Sequence, residues 1–265
     1  MRLASVNIQY DAGEADRPAL VELIADIGAD VVAVQEVPGE KAAEKLAAAL
    51  GMQVSIGPSP SGLHAAVLRR PDLSEQAREH KYADRVWNGY VSSTLSDPSW
   101  PTPVTVVCAH LAPHSAALAA AEAQLLVGRG RRQGRPGIIM GDINHAPLAG
   151  PEPDWSLVPD HNRSARTVLD EGPLRADRTV GRVLDRAGYT DAAAHLAAER
   201  GDDALLAPTG VHGRMRVDQV WLSEQLVPAL AGYERLDHRG TTDHHPVQVD
   251  LNLSRMTDTA QREWR

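Results

Sequence analysis

The chain has 265 residues, 43% of them apolar and 23% charged, with 27 Lys and Arg against 35 Asp and Glu for a formal net charge of −8. Such a composition buries a core and excludes wholesale disorder; no apolar run reaches the roughly 18 residues that span a bilayer, and the start shows no apolar signal region, so a soluble, cytoplasmic protein is expected. The single cysteine, Cys108, excludes an intramolecular disulfide and a cysteine-built zinc site, and the acidic balance argues against broad binding to nucleic acid through a basic face.

In chain order, short Val- and Ile-rich runs alternate with amphipathic patterns. Strands are expected at Leu3–Asn7, Val31–Glu36, Gln53–Ile56, Leu63–Leu68, Val104–His110, Gly137–Gly141, Val217–Leu222, Val227–Tyr233 and Val247–Leu251. Several are almost continuously apolar, the pattern of strands covered on both faces. A first helix begins near Asp16, with Pro18 in its first turn and Leu20, Leu23, Ile24 and Ile27 on one face, and stops at Gly28. Others run over about Glu40–Leu50, from after Pro113 to Val127, over Thr179–Ala187 and over Ala192–Arg200. Pro71–Pro103 reads as strand plus loop, and Leu148–Asp177, rich in Pro and Asp, as a long surface excursion of the kind that holds substrate-facing residues. Phenylalanine is absent, so the core must be aliphatic. One domain over 1–253 is expected, with a polar tail over 254–265.

The polar residues fall at the strand ends. Asn7 closes the first run, Glu36 ends VVAVQE, His110 ends VTVVCAH, and Asp142 and Asn144 follow GIIM as GDIN. Asp218 sits in RVDQVWL, and Asp243 and His244 in TDHHPV, just before the last strand. If those ends converge, they assemble carboxylates, amides and imidazoles with no cysteine and no activated serine. Such a set suits a hard divalent cation such as Mg²⁺, and hydrolysis in which a carboxylate activates water while imidazoles meet phosphate oxygens.

The ordered set Asn7, Gln35-Glu36, His110-Leu111, Gly141-Asp142-Ile143-Asn144, Arg216-Val217-Asp218 and Thr242-Asp243-His244 resembles the endonuclease/exonuclease/phosphatase superfamily, from residue 2 to about 251. The resemblance implies an α/β fold, a four-layer α/β/β/α sandwich of two mixed sheets face to face with helices outside. It also implies that Glu36 ligates Mg²⁺ (or Mn²⁺ in its place), with Asn7 and Asp243 helping directly or through water. Asp142 would orient or deprotonate the attacking water, and Asn144 would hold that water or a phosphate oxygen. His244, its tautomer fixed by Asp218, would contact the phosphate, and His110 would be a second phosphate contact and an acid for the leaving oxygen. Gln9 stands where exonuclease III-like repair enzymes carry an acid, and His110 where they tend to carry Tyr, which argues against abasic-site repair.

The expected activity is metal-dependent hydrolysis of a phosphate mono- or diester, leaning to a small phosphorylated substrate, by a monomer. A nuclease acting on DNA or RNA is the rival, and a non-catalytic binding protein on the same fold the remote one. His145 and His245 read as loop residues on the rim without essential work. His114, His161, His212 and Arg214 are weaker substrate contacts, and Arg129, Arg131, Arg132 and Arg135 read as a solvated helix end. Trp87, Trp100 and Trp155 either cover the core or rim the pocket, and Cys108 reads as a small core residue.

Overall fold

The computed structural model describes residues 1–10, 18–211 and 214–257. The expected helix start at Asp16, His212 and most of the expected polar tail lie outside these. Among the described residues, twelve strands form two six-stranded sheets. The first is built from β1 (Arg2–Asn7), β2 (Val31–Val37), β3 (Gln53–Gly57), β4 (His64–Arg69), β11 (Leu230–Arg235) and β12 (Val247–Leu251), in the order β11-β12-β1-β2-β4-β3. The second takes β5 (Ser74–Glu79), β6 (Tyr90–Ser96), β7 (Val104–His110), β8 (Gly137–Asp142), β9 (Tyr189–Asp191) and β10 (Asp218–Ser223), in the order β5-β6-β7-β8-β10-β9. Each sheet is mixed. β1 and β2 run parallel, as do β7 and β8, and the other pairs are antiparallel.

Both faces of the central strands are covered, which is why they read as continuous apolar runs. Between the sheets, Leu3, Val31, Ala33 and Val67 meet Val106, Cys108, Met140 and Val220 in one buried cluster. On the outside of the first sheet, Val6, Val34 and Leu68 pack against α1 (Pro18–Ile27) and α2 (Glu40–Ala49) through Leu20, Leu23, Ile24 and Leu46. Outside the second, Ala109, Ile139 and Trp221 pack against α3 (Ala116–Gly130) and α5 (Thr179–Arg186) through Ala123, Leu126, Val180 and Leu184. The result is the expected four-layer sandwich, with α6 (Ala192–Arg200) adding Ala192, Ala193 and Leu196 to the inter-sheet core. No helix among the described residues is long and apolar enough to cross a membrane.

The alternation of a strand fixes what lies at the end of that inner layer. Inward positions run Leu3, Ser5, Asn7 on β1 and Val31, Ala33, Gln35 on β2; on β7, β8 and β10 they run Val106, Cys108, His110, then Ile138, Met140, Asp142, then Leu222, Val220, Asp218. The layer thus changes from aliphatic to polar toward one edge. Ser5 donates to Gln35 Oε1 at 3.3 Å and Gln35 Nε2 to Cys108 Sγ at 3.3 Å, making the transition without exposed polar groups.

The structure corrects several expected boundaries. Residues 227–229, expected to be strand, form a 3₁₀ turn containing Pro228, whose missing N–H bars it from the ladder, and β11 starts at Leu230. The Pro71–Pro103 stretch holds two strands, β5 and β6, and three-residue β9 was not expected. The 148–177 excursion contains α4 (Asp160–Arg166), and Met256, in the expected tail, packs partly on the core.

Gly141, the first residue of GDIN, has φ +147, and a Cβ there would lie 1.9 Å from the Ala109 carbonyl oxygen of its parallel neighbour β7. Gly141→Ala therefore must push two central strands apart. It is expected to lower unfolding free energy by about 3 kcal/mol or more in urea denaturation. A change under about 1 kcal/mol would mean that this close approach does not constrain the strand pair.

Candidate functional site

Asp142 is the hub. Register sets His110 beside it on β7 and Asp218 beside it on β10, one from a parallel and one from an antiparallel neighbour. Its carboxylate is almost wholly buried, at 2% exposure. Oδ1 accepts from the Asn144 amide at 2.9 Å, and Oδ2 from Asn7 Nδ2 at 3.1 Å, across from the other sheet. His110 Nε2 lies 3.5 Å and His244 Nε2 3.9 Å from Oδ2. Burial pushes the Asp142 carboxyl up, but His244, His110 and the Asn144 amide outweigh it and hold the group below its ordinary range. It is a buried, ionised carboxylate with a proton-accepting oxygen turned to imidazoles.

Glu36 arrives by a different route. Strict alternation would send it away from Gln35's side, but its φ is +62 and the β2–β4 register slips between Val34 and Val37. This bulge re-aims Glu36 so that Oε1 accepts from Asn7 Nδ2 at 3.1 Å and Oε2 from the Tyr10 amide at 3.1 Å. Asn7 therefore ties Glu36 to Asp142, while its own Oδ1 accepts from the Gln9 amide at 3.0 Å. Asn144, also at positive φ (+61), donates through Nδ2 to the Leu111 carbonyl at 3.0 Å, joining the GDIN turn to the loop after His110.

The last two residues come from the loop before β12. Residues 243–245 pair with 209–211: Gly210 bridges His244, the Val211 amide donates to the Asp243 carbonyl and the His245 amide to the Thr209 carbonyl. Thr209 Oγ1 accepts from both the Val217 and Asp218 amides at 2.9 Å, fixing the entry to β10. Thr242 Oγ1 donates to the Asn7 carbonyl at 2.8 Å, anchoring the loop on the first sheet. His244 Nδ1 thereby meets Asp218 Oδ2 at 2.8 Å, and Nε2 lies 3.9 Å from Asp243 Oδ1. Burial lowers the His244 ring's affinity for a proton, but Asp218 and Asp142 more than offset it, lifting its pKa to about 10. Burial raises the Asp218 carboxyl, with His244 opposing.

All eight predicted residues, Asn7, Glu36, His110, Asp142, Asn144, Asp218, Asp243 and His244, thus sit in one network of hydrogen bonds and close charge contacts. Asp142, Asp218 and His244 also present ligand atoms within 4.8 Å of one another. Buried polar capacity is left over: Asp218 Oδ1 and His110 Nδ1 have no partner. With Glu36 and Asp243 nearby, the donors are oxygens and imidazoles, a set that fits a hard divalent cation better than a soft one.

The sequence expectations for the neighbours need correcting. His145 is not on the rim: it is fully buried, Nε2 bonded to the Ala112 carbonyl at 2.9 Å, because the GDIN turn packs it under the loop after His110. His245 is half-buried, with Nδ1 at 2.9 Å from the Leu236 carbonyl. Trp100 packs on the inter-sheet core and Trp155 on a small cluster with Ala146 and Val217; Trp87 stays 49% exposed, edge-on to His114. The expected basic helix end is mostly neutralised: Arg129 and Arg132 face Glu79, and Arg131 pairs with Glu224.

Two groups escaped the sequence reading. Glu122, buried on α3, accepts the Trp87 amide at 2.6 Å and the Ala112 amide at 2.7 Å, pinning both loops; both partners lie outside the helix, so the chain alone gives no sign of this. Arg166, at the end of α4, donates to the Asn144 carbonyl from 22 residues downstream.

The family model of the Endonuclease/Exonuclease/phosphatase family matches residues 4–244. The chain belongs to this family. With it comes the class of chemistry, hydrolysis of ester bonds, and the sandwich is the DNase I-like fold. None of the curated proteins matches the sequence. Among solved structures, the chain is similar to a mannosyl-6-phosphatase of Bacteroides thetaiotaomicron, at 15% identity and TM-score 0.63 over 95% of this chain and 99% of that one. It is also similar to the endonuclease domain of the telomere-specific retrotransposon TRAS1 (15%, TM-score 0.61, 95% and 98%) and to the human Nocturnin catalytic domain with bound sulfate (16%, TM-score 0.63, 94% and 93%). At such identities the likeness speaks for the fold alone.

Burial pushes the His145 pKa down from 6.5 to about 4, so the folded protein holds the ring neutral where the unfolded chain protonates it. Its contribution to stability is full above pH of about 6.5 and declines as pH falls toward 4, at up to about 1.4 kcal/mol per unit. Urea unfolding between pH 7.5 and 4.5 is expected to show a flatter pH dependence for His145→Gln than for the wild type; parallel curves would contradict a neutral buried ring.

Proposed function

We propose that this family member is a Mg²⁺-dependent phosphoesterase that hydrolyses a small phosphate mono- or diester by direct attack of water. The observation that carries the reading is Asp142: a buried carboxylate kept ionised between two imidazoles, linked through Asn7 to Glu36. Glu36, with Asn7 and Asp243, would hold the cation, which when bound neutralises charge on the phosphoryl oxygens. Asp142 takes the proton of the attacking water, and Asn144 holds that water or a phosphate oxygen. The new P–O bond forms as the ester P–O bond breaks, and His110 gives a proton to the leaving oxygen. His244, protonated and held by Asp218, donates to a phosphoryl oxygen as charge builds there. No covalent enzyme intermediate is expected, because no activated Ser, Thr or Cys stands among these residues; Cys108 lies buried between the sheets, and burial pushes its thiol up to about 12.

The acidic chain and the paired arginines at the end of α3 and just beyond it support a small substrate over long duplex DNA. A panel of a phosphomonoester, a phosphodiester, nucleotides and single- and double-stranded nucleic acids, with Mg²⁺, Mn²⁺ or chelator, tests this. Hydrolysis is expected to vanish with chelator and return with Mg²⁺. Asp142→Asn should lower kcat by about 10³-fold and His244→Ala by about 10²-fold or more. Metal-independent turnover, or full activity of Asp142→Asn, would refute the mechanism, and activity confined to nucleic acid would replace the substrate reading with a nuclease.

A further inference from the structure

On that reading of the site, we propose that Arg166 is a phosphate-binding residue that fits the cleft to phosphomonoesters, the terminal phosphates of small alcohols. The arginine lies at the C-terminal end of α4 within the 148–177 excursion, and its guanidinium reaches back to the catalytic turn, where Nη1 donates to the Asn144 carbonyl. Five other arginines in or near the excursion have carboxylate partners: Arg163 pairs with Asp160, Arg175 with Asp170, Arg178 with Glu152, Arg182 with Asp177 and Arg216 with Asp191. Among the described residues, no carboxylate lies at ion-pair distance from Arg166. Its side chain is half-buried, and none of its nitrogens is among the buried polar atoms left without a partner.

A guanidinium stays charged even where burial works against it, and partial desolvation without an anionic partner is costly. Here burial lowers the Arg166 pKa and the nearby charge of Asp142 opposes, so the cation is held beside the carboxylate that is to activate water without being neutralised by it. An anion brought by the substrate completes the arrangement. The planar fork matches two oxygens of one phosphoryl group. A monoester offers three non-bridging oxygens and up to two negative charges, enough for His244, a cation and Arg166 at once. A diester has two such oxygens and one charge, so it loses least when Arg166 is removed. The reaction itself is unchanged: water adds at phosphorus, the ester oxygen leaves with a proton, and the products are inorganic phosphate and an alcohol.

The test compares wild type, Arg166→Gln and Arg166→Lys, each first checked for a wild-type melting profile, in Mg²⁺ buffer. Two readouts are taken: kcat/KM for 4-nitrophenyl phosphate and for bis(4-nitrophenyl) phosphate, and the dissociation constant of inorganic phosphate by calorimetry. Arg166→Gln is expected to lower the monoester-to-diester ratio of kcat/KM at least about 10-fold and to weaken phosphate binding by about 10- to 100-fold. Arg166→Lys, which keeps the charge but not the fork, should fall between. Equal losses on both esters, or phosphate binding unchanged in Arg166→Gln, would overturn the assignment. If the wild type turned over neither ester, the phosphoesterase reading would fail, while the binding measurement would still decide the role of Arg166.

Discussion

A carboxylate cannot be buried cheaply as an ion, and this fold buries that of Asp142 between two sheets. Water would have supplied its hydration; here Asn7, the Asn144 amide, His110 and His244 do so instead. Each of these comes from a different segment, so both sheets, the GDIN turn and the loop before β12 must be in place together. Removing one partner from such a group leaves buried charge uncompensated, a loss of about 3–5 kcal/mol in comparable settings. The same arrangement keeps Asp142 ionised and oriented, the state that the proposed role in accepting a proton from water requires.

The rest of the architecture follows from delivering side chains to that point. Four-layer packing buries the central strands on both faces, and their two-residue period carries Asn7, Gln35, His110, Asp142 and Asp218 to one edge of the inner layer. Two residues leave regular geometry to join them. Glu36 and Asn144 both stand at positive φ, one at a bulge and one in a turn, a conformation non-glycine residues adopt at local cost. Strain of this kind concentrates where it changes the aim of a functional group.

Much of this was legible in the chain. β7, β12 and α6 match their expected bounds residue for residue, because a strand covered on both faces, a strand with alternating burial and a helix with one buried face each write their burial into the pattern. The polar residues at the strand ends were equally plain, since an Asp or His that closes an aliphatic run stands out against it. What could not be read depends on partners distant in sequence. β6 carries Ser92, Ser93 and Thr94, buried but polar, so its strand pattern is masked, and β5 is a largely exposed edge strand. The turn of Glu36 toward the cleft is a bulge with no local signature. His145 looked like a loop residue, because the carbonyl of Ala112 that buries it lies 33 positions away. Arg166, in a stretch rich in Pro and Asp, showed no periodic signal at all.

The central claim is that these strand ends form one metal-dependent hydrolytic centre around Asp142, and the position of a bound cation tests it most directly. A crystal soaked with Mn²⁺ and recorded at the manganese absorption edge should show its anomalous peak against the Glu36 carboxylate, within the cluster that includes Asp142 and Asp243. A peak instead at Asp237, His238 and His245, the other described group with ligand atoms close enough to share an ion, and none beside Glu36, would contradict it.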